Sequence, residues 1–231
     1  MPAPTQATRR VTNWLLPVLP LVFGICAGCV TSRVEGLKNA ATGIAANESV
    51  VVIPASYHKG NRTEADFLEC VDDKLDDGAK AVNVYPREKF LDELFPWLEP
   101  RTMPQEIKDL PELLARPGVS ERINASGVRY LVWVTGSTKK TSDGGGMSCA
   151  ASPAGGGCFG LVWWEDDGTY TASVWDLKAA SSAGKVSADV HGSSMMPALI
   201  LPLPFIARTE TAACKELAGE LRKFIVQEDL S

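Results

Sequence analysis

The sequence predicts an α/β sandwich: a mixed β-sheet with flanking helices, in the order β-α-β-α-α-β-β-β-β-α. Three observations carry this prediction. Short β-branched runs alternate with amphipathic helical segments in the first half of the chain. From Val128 to His191, strand-like segments follow one another with turn signals between them. The chain then closes on a segment with apolar residues at helical spacing. One sheet covered by helices accommodates all three.

The first strand is Ser49-Val50-Val51-Val52-Ile53-Pro54, a β-branched run stopped by proline. A loop, Ala55 to Arg62, follows. Thr63-Glu64-Ala65-Asp66 reads as a capping-box variant. It opens a helix with Phe67, Leu68, Val71 and Leu75 on one face and Gly78 as its C-cap. Ala81 to Tyr85 is a second strand. Pro86 then starts a helix from Arg87 to Phe95. The stretch Pro96 to Met103 is irregular, with Trp97 as its anchor.

Residues 105–116 are helical in part, with Pro111 starting a fresh turn, and Val119 to Ser126 is a short helix closed by Gly127. Val128 to Ser137 is apolar on both faces and belongs at the sheet centre. Phe159 to Trp164, Tyr170 to Leu177 and Lys185 to His191 are three further strands. Asp166-Asp167-Gly168 and Ser181 to Gly184 are the turns between them. Met195 to Ile206 is apolar but holds three prolines, which exclude a regular helix or central strand. Thr209 caps the last helix, with Ala213, Leu217, Leu221 and Ile225 along one face.

The N-terminal segment stands apart. Arg9 and Arg10 precede a run without charge from Val11 to Ser32, and small residues close it. This is the build of an export signal. Pro17 and Pro20 interrupt the run and argue against a permanent membrane helix. The tetrapeptide Cys26-Ala27-Gly28-Cys29 resembles the bacterial lipobox, with Cys26 where leucine is usual. The resemblance implies a lipoprotein signal peptide, residues 1–28, and lipidation of Cys29 with acyl chains such as palmitate. Val30 stands where an inner-membrane retention signal would place Asp, which implies the outer membrane, on its periplasmic face. Residues 29–48, small and polar, are expected to be a lipid-anchored tether. Residues 49–231 are expected to form one domain. Loss of residues 1–28 would take the formal net charge from −5 to about −7. An acidic chain without a basic run does not favour nucleic acid or an electrostatic grip on anionic lipid. Three N-glycosylation sequons, at Asn47, Asn61 and Asn124, would matter only in a eukaryotic secretory protein.

The domain itself resembles a group of bacterial envelope lipoproteins. That group includes the curli-secretion channel protein and the penicillin-binding-protein activators, and it shares its fold with the TolB N-terminal domain. The resemblance runs from about residue 49 to 193. It rests on the strand Val50 to Pro54, the acidic helix ending in Gly78 and the lead Ile123 to Val132 into Thr135-Gly136-Ser137. It also rests on Val174-Trp175-Asp176-Leu177 and on the turn before Gly184-Lys185-Val186. It implies a binding role in an envelope complex. The chain departs from the channel protein at residues 138–158, which lack the alternation of a lipid-facing strand and argue against a pore.

In an exported protein, Cys70, Cys149, Cys158 and Cys214 point to two disulfides, for which three pairings exist. Cys149 and Cys158 bracket Ala150 to Gly157 within an expected Gly-rich loop, 138–158, and are expected to close it. Cys70 and Cys214 sit on the first and last helices, which pack together in such folds, and are expected to pair. These four cysteines form no C-x-x-C and the two histidines lie far apart, so neither metal nor cofactor is expected. Asp143-Gly144-Gly145-Gly146 lacks the Lys-Ser/Thr of a phosphate loop, and the pairs Asp72-Asp73, Asp76-Asp77 and Asp166-Asp167 lack calcium-loop spacing. His58 and His191 have no nucleophile elbow near them, so an enzyme is not expected.

Trp163, Trp164, Trp97 and the apolar segment around Phe205 are the candidate docking residues. The expected function is a membrane-anchored lipoprotein that binds, and assembles with or regulates, an envelope protein complex. Self-association into a secretion or transport ring is the alternative, and a periplasmic hydrolase the second alternative. Replacement Cys29→Ala should abolish metabolic acyl labelling and release the protein from membranes. Labelling that survives the substitution would remove the lipobox reading.

Overall fold

The computed structural model describes residues 28–55, 63–78, 80–104, 106–153 and 155–226. Residues 1–27, which hold most of the expected signal peptide and Cys26, lie outside the described residues, as does His58. The five strands are β1 (Cys29–Lys38), β2 (Ser49–Pro54), β3 (Val128–Ser152), β4 (Gly155–Asp176) and β5 (Ser181–Ile200). The helices are α1 (Ala65–Asp76), α2 (Arg87–Glu93), α3 (Leu110–Leu114), α4 (Val119–Ser126) and α5 (Thr209–Val226), with a 3-10 turn at Ile107–Asp109. The strands form one mixed sheet in the order β1-β5-β4-β3-β2. Only β2 and β3 run parallel; the other pairs are antiparallel.

The two faces of β2 explain the layering. Val50 and Val52 enter a core shared with Phe67 and Leu75 of α1 and with Leu217, Leu221 and Phe224 of α5. Val51 and Ile53 enter a second core with Phe90, Leu94, Leu110, Leu113 and Ile123 of the α2–α4 layer. Side chains alternate along a strand, so a run of four branched apolar residues fills both cores at once. Removing one such side chain from water contributes about 1.5–3 kcal/mol. The result is an α/β sandwich with helices on both faces, as the sequence predicts. Gly127, at φ 72°, ends α4 where the sequence places its cap.

Several expected elements differ. The stretch expected to be a tether from residue 29 is β1, hydrogen-bonded along β5 from Cys29 opposite Ser193 to Lys38 opposite Gly184. Residues 29–38 therefore belong to the folded domain and are not a tether to it. Polar residues suit it because β1 is an edge strand with little to bury. The expected strand Ala81 to Tyr85 makes one bridge, Val84 to Val50, and Pro86 prevents more. The expected capping box is absent: Glu64 is the N-cap but does not cap with its side chain. Its carboxylate accepts from Thr138 N and from the Tyr170 hydroxyl, both at 2.9 Å.

The largest correction concerns the second half. Residues 138–158 are not a loop. They continue β3 and start β4, paired from Tyr130 opposite Asp176 to Ser152 opposite Gly155 with one register shift between Lys140 and Ser142. Asp166-Asp167-Gly168 is not a turn but the middle of β4, where Asp166 and Asp167 face Lys140 and Lys139 across the ladder. Opposite charges across a pair favour strand here. The turn before β5 lies at residues 177–180 and not at 181–184. Asp176 holds it by accepting from Lys178 N and Ala179 N at 2.9 Å.

Strand β5 runs on to Ile200 through Pro197. It can do so because β1 ends its pairing at Ser193, leaving the rest of β5 at an edge where a missing N–H costs least. The chain then folds back. Met195 and Phe205 exchange backbone hydrogen bonds at 2.9 and 2.8 Å.

Cys70 of α1 is bonded to Cys214 of α5, and Cys149 to Cys158 at directly opposed positions of β3 and β4. The first bridge spans 144 residues and the second 9. On the chain-entropy account, Cys70→Ala with Cys214→Ala should cost about 5 kcal/mol of stability in urea unfolding, against about 2.5 kcal/mol for Cys149→Ala with Cys158→Ala. Hydrogen exchange should show both losses at the amides that exchange through global unfolding, the first about twice the second.

Candidate functional site

Strands β3, β4 and β5 outgrow the helices. At the root of the outgrowth, Phe67 of α1 stacks on Tyr170 of β4 with ring centroids 3.7 Å apart. The Tyr170 hydroxyl binds Glu64 and lies 2.9 Å from Thr138 Oγ1, and burial holds its pKa far above the usual phenol value. Thr63 Oγ1 donates to Gly136 O at 3.0 Å. This cluster fixes where β3 and β4 leave the sandwich.

One face of the sheet is left uncovered beyond α2–α4. Along β4, odd-numbered residues share the face of Trp175, which packs under those helices. Moving away from Trp175, this face passes first through a polar band. Thr171 and Ser187 hydroxyls lie 3.1 Å apart. A shallow depression follows, lined by Thr31, Arg33, Asp167, Thr169, Asp189 and His191. His191 Nδ1 lies 2.5 Å from Asp167 Oδ1. That hydrogen bond raises the imidazole pKa above its usual value. Among the described residues no Ser, Thr or Cys side chain hydrogen-bonds His191 and no three ligating side chains cluster for a metal.

Beyond the band the face becomes apolar. Phe159, Leu161 and Trp163 of β4 stand opposite Leu199, Pro197 and Met195 of β5. Phe159 and Leu199 are 72% and 75% exposed, so this ladder is surface and not core. Across β3 the partners of Trp163 and Leu161 are Gly144 and Gly146. A Cβ at Gly144 would come within 2.9 Å of the Trp163 indole, so glycine there gives the ring its seat. The reverse face is partly covered by the returning segment, with Ala198 and Ser194 buried and Ala207 N donating to Ser194 Oγ at 3.0 Å.

The candidate docking residues separate. Trp163 lies in the exposed ladder and Trp164 on the opposite face, half-buried. Phe205, also half-buried, pairs its backbone with Met195 at the outer edge of β5. Trp97 is not with them: it packs on the α2–α4 core and its ring lies under the Arg116 guanidinium, 4.7 Å away. Cys29 is exposed and unbridged, opposite Ser193 at the base of the apolar ladder. Sequence reasoning missed the pairing of Phe159 and Leu161 with the Pro-rich segment and the joining of Asp167 to His191. Only strand register brings these together.

No protein-family model matches the chain, and no curated protein matches it. Among solved structures, a PelC L103M dodecamer from Paraburkholderia phytofirmans is similar at 11% identity and a TM-score of 0.38, covering 84% of this chain and 98% of that one. A second PelC dodecamer from the same organism is similar at 13% identity and a TM-score of 0.33, covering 85% and 97%.

The His191–Asp167 bond sets a pH dependence. An imidazole with a raised folded pKa contributes stability that is fully present below its unfolded value and is lost as pH rises through the folded one. Proton NMR should place the His191 midpoint above the usual value near 6.5. Asp167→Asn should move it back down. An unmoved midpoint would show that the carboxylate does not hold the proton.

Proposed function

We propose that this chain is a membrane-anchored envelope lipoprotein whose work is binding: it docks on, and assembles with or regulates, an envelope protein complex at the periplasmic face of the outer membrane. The observation that carries the reading is β1. Ten residues beginning at Cys29 pair with β5 on one side, and no strand among the described residues pairs with the other. A free strand edge is a ready template for a further strand. Its residues are exposed apart from Val34, and the charges of Arg33, Glu35 and Lys38 oppose indiscriminate pairing. Acyl chains on Cys29 would hold this edge at the bilayer, where an envelope partner meets it. The lipobox and the resemblance to envelope lipoproteins support the same reading.

A photo-cross-linking amino acid at Thr31 or Leu37 of the full-length protein in cells should capture one dominant envelope protein, with Lys89 on α2 as the control position. A ladder of the chain with itself would assign the edge to a ring-forming assembly instead. Equal, diffuse products from Thr31 and Lys89 would remove β1 as the docking edge.

A further inference from the structure

The far end of the three-stranded outgrowth has an unusual charge pattern. From Gly144 to Trp164 there is no Asp, Glu, Lys, Arg or His, and there is none from Gly192 to Ala207. These two stretches are the ends of β3, β4 and β5 with the returning segment, so the whole tip is uncharged. Charge resumes abruptly at Asp143, Glu165, His191 and Arg208. Glu165 faces Ser193, and Ser193 faces Cys29, so the base of the tip lies level with the start of β1. Gly28 is packed there too: a Cβ on it would lie 2.8 Å from Ser193 O and 2.5 Å from Ala207 N.

We propose that this tip is a second membrane contact: its ladder of Phe159, Leu161, Trp163, Met195, Pro197 and Leu199 lies in the acyl boundary of a lipid leaflet. The chain that precedes Gly28 carries no charge back to Val11. Whether that stretch is replaced by acyl chains on Cys29 or retained, lipid reaches the fold at the base of the tip. The proposal rests on the envelope reading above for this direction of approach. Trp163 and Trp164 sit one or two residues beyond the last charge of β4, where amphipathic rings meet headgroups. Ile200, Leu201, Leu203 and Ile206, all exposed, continue the apolar surface around the end.

Geometry also limits the depth. From Ser193 to Ile200 the strand extends about 23 Å, at roughly 3.3 Å per residue, shorter than the ~30 Å hydrocarbon core. Beyond Val134 no strand among the described residues pairs the outer edge of β3. Unpaired backbone groups are costly in hydrocarbon. The tip therefore rests in the interface with its apolar face inward and does not span. With no basic residue in it, this contact does not depend on anionic lipid or on salt.

The test uses the full chain reconstituted in vesicles of phosphatidylethanolamine and phosphatidylglycerol. An environment-sensitive fluorescent amino acid is placed at Leu161 or Leu199, or at Lys185 on the same strand face as a control. Lipids brominated in the upper acyl chain should quench the first two probes several-fold more than the third, equally at low and high salt. In a Leu161→Asp, Leu199→Asp chain, whose changes fall on exposed positions, a probe at Phe159 should fall to the control level. Equal quenching at all positions in a chain that floats with vesicles overturns the tip contact and leaves the anchor standing. A chain that does not float overturns both. In-cell photo-cross-links from Leu161 to a protein or to a second copy, in place of lipid, would give the face to that occupant.

Discussion

Everything outside the sandwich depends on one long backbone ladder, shifted in register once, between Lys140 and Ser142. Strands β3, β4 and β5 stay paired far past the last helix that covers them. Within the sandwich, Tyr130, Val132, Tyr170, Val174, Val186 and Ala188 tie the ladder to a buried core. Beyond it there is little burial to set register. The ladder is held instead by the Glu64–Tyr170–Thr138 cluster at its root, by the opposed Cys149–Cys158 bridge at its end and by cross-strand pairs between. The polar band, the apolar ladder and the nearness of Cys29 to that ladder all follow from this register. A one-residue slip would turn Phe159, Leu161 and Trp163 to the other face.

The sequence is most readable where one residue must satisfy two neighbours. Val50 to Ile53 serves two cores, so its apolar run is unambiguous. Gly127 ends a helix at positive φ and is legible for that reason alone. The cysteines could be sorted because two fell on helices and two on one short segment.

Legibility fails where burial stops deciding. Residues 138–158 look like a loop because Gly, Ser and Ala show no period when neither face is buried. Asp166-Asp167-Gly168 looks like a turn because its cross-strand partners, Lys139, Lys140 and His191, are far away in sequence. Thr63 and Asp66 look like the two halves of a capping box, yet the Thr63 hydroxyl donates to Gly136 O, 73 residues on. The same blindness hid the site. Phe159 to Trp163 and Met195 to Leu199 are separate stretches until β4 and β5 lie side by side. Trp97, grouped with them by residue type alone, belongs to the opposite layer's packing.

The absence of slack after Cys29 has a mechanical consequence. A lipoprotein on a long flexible leash samples a deep shell of the periplasm and reaches partners tens of ångströms away. Here Cys29, the proposed attachment point, is already part of a strand, so an anchored domain would pivot and not roam. Its reach would be set by its own height: the ten residues of β1 measure about 30 Å from end to end. Lengthening the chain between Cys29 and Thr31 with glycine and serine would add reach and remove orientation. Partners that need the domain upright and close would be lost first.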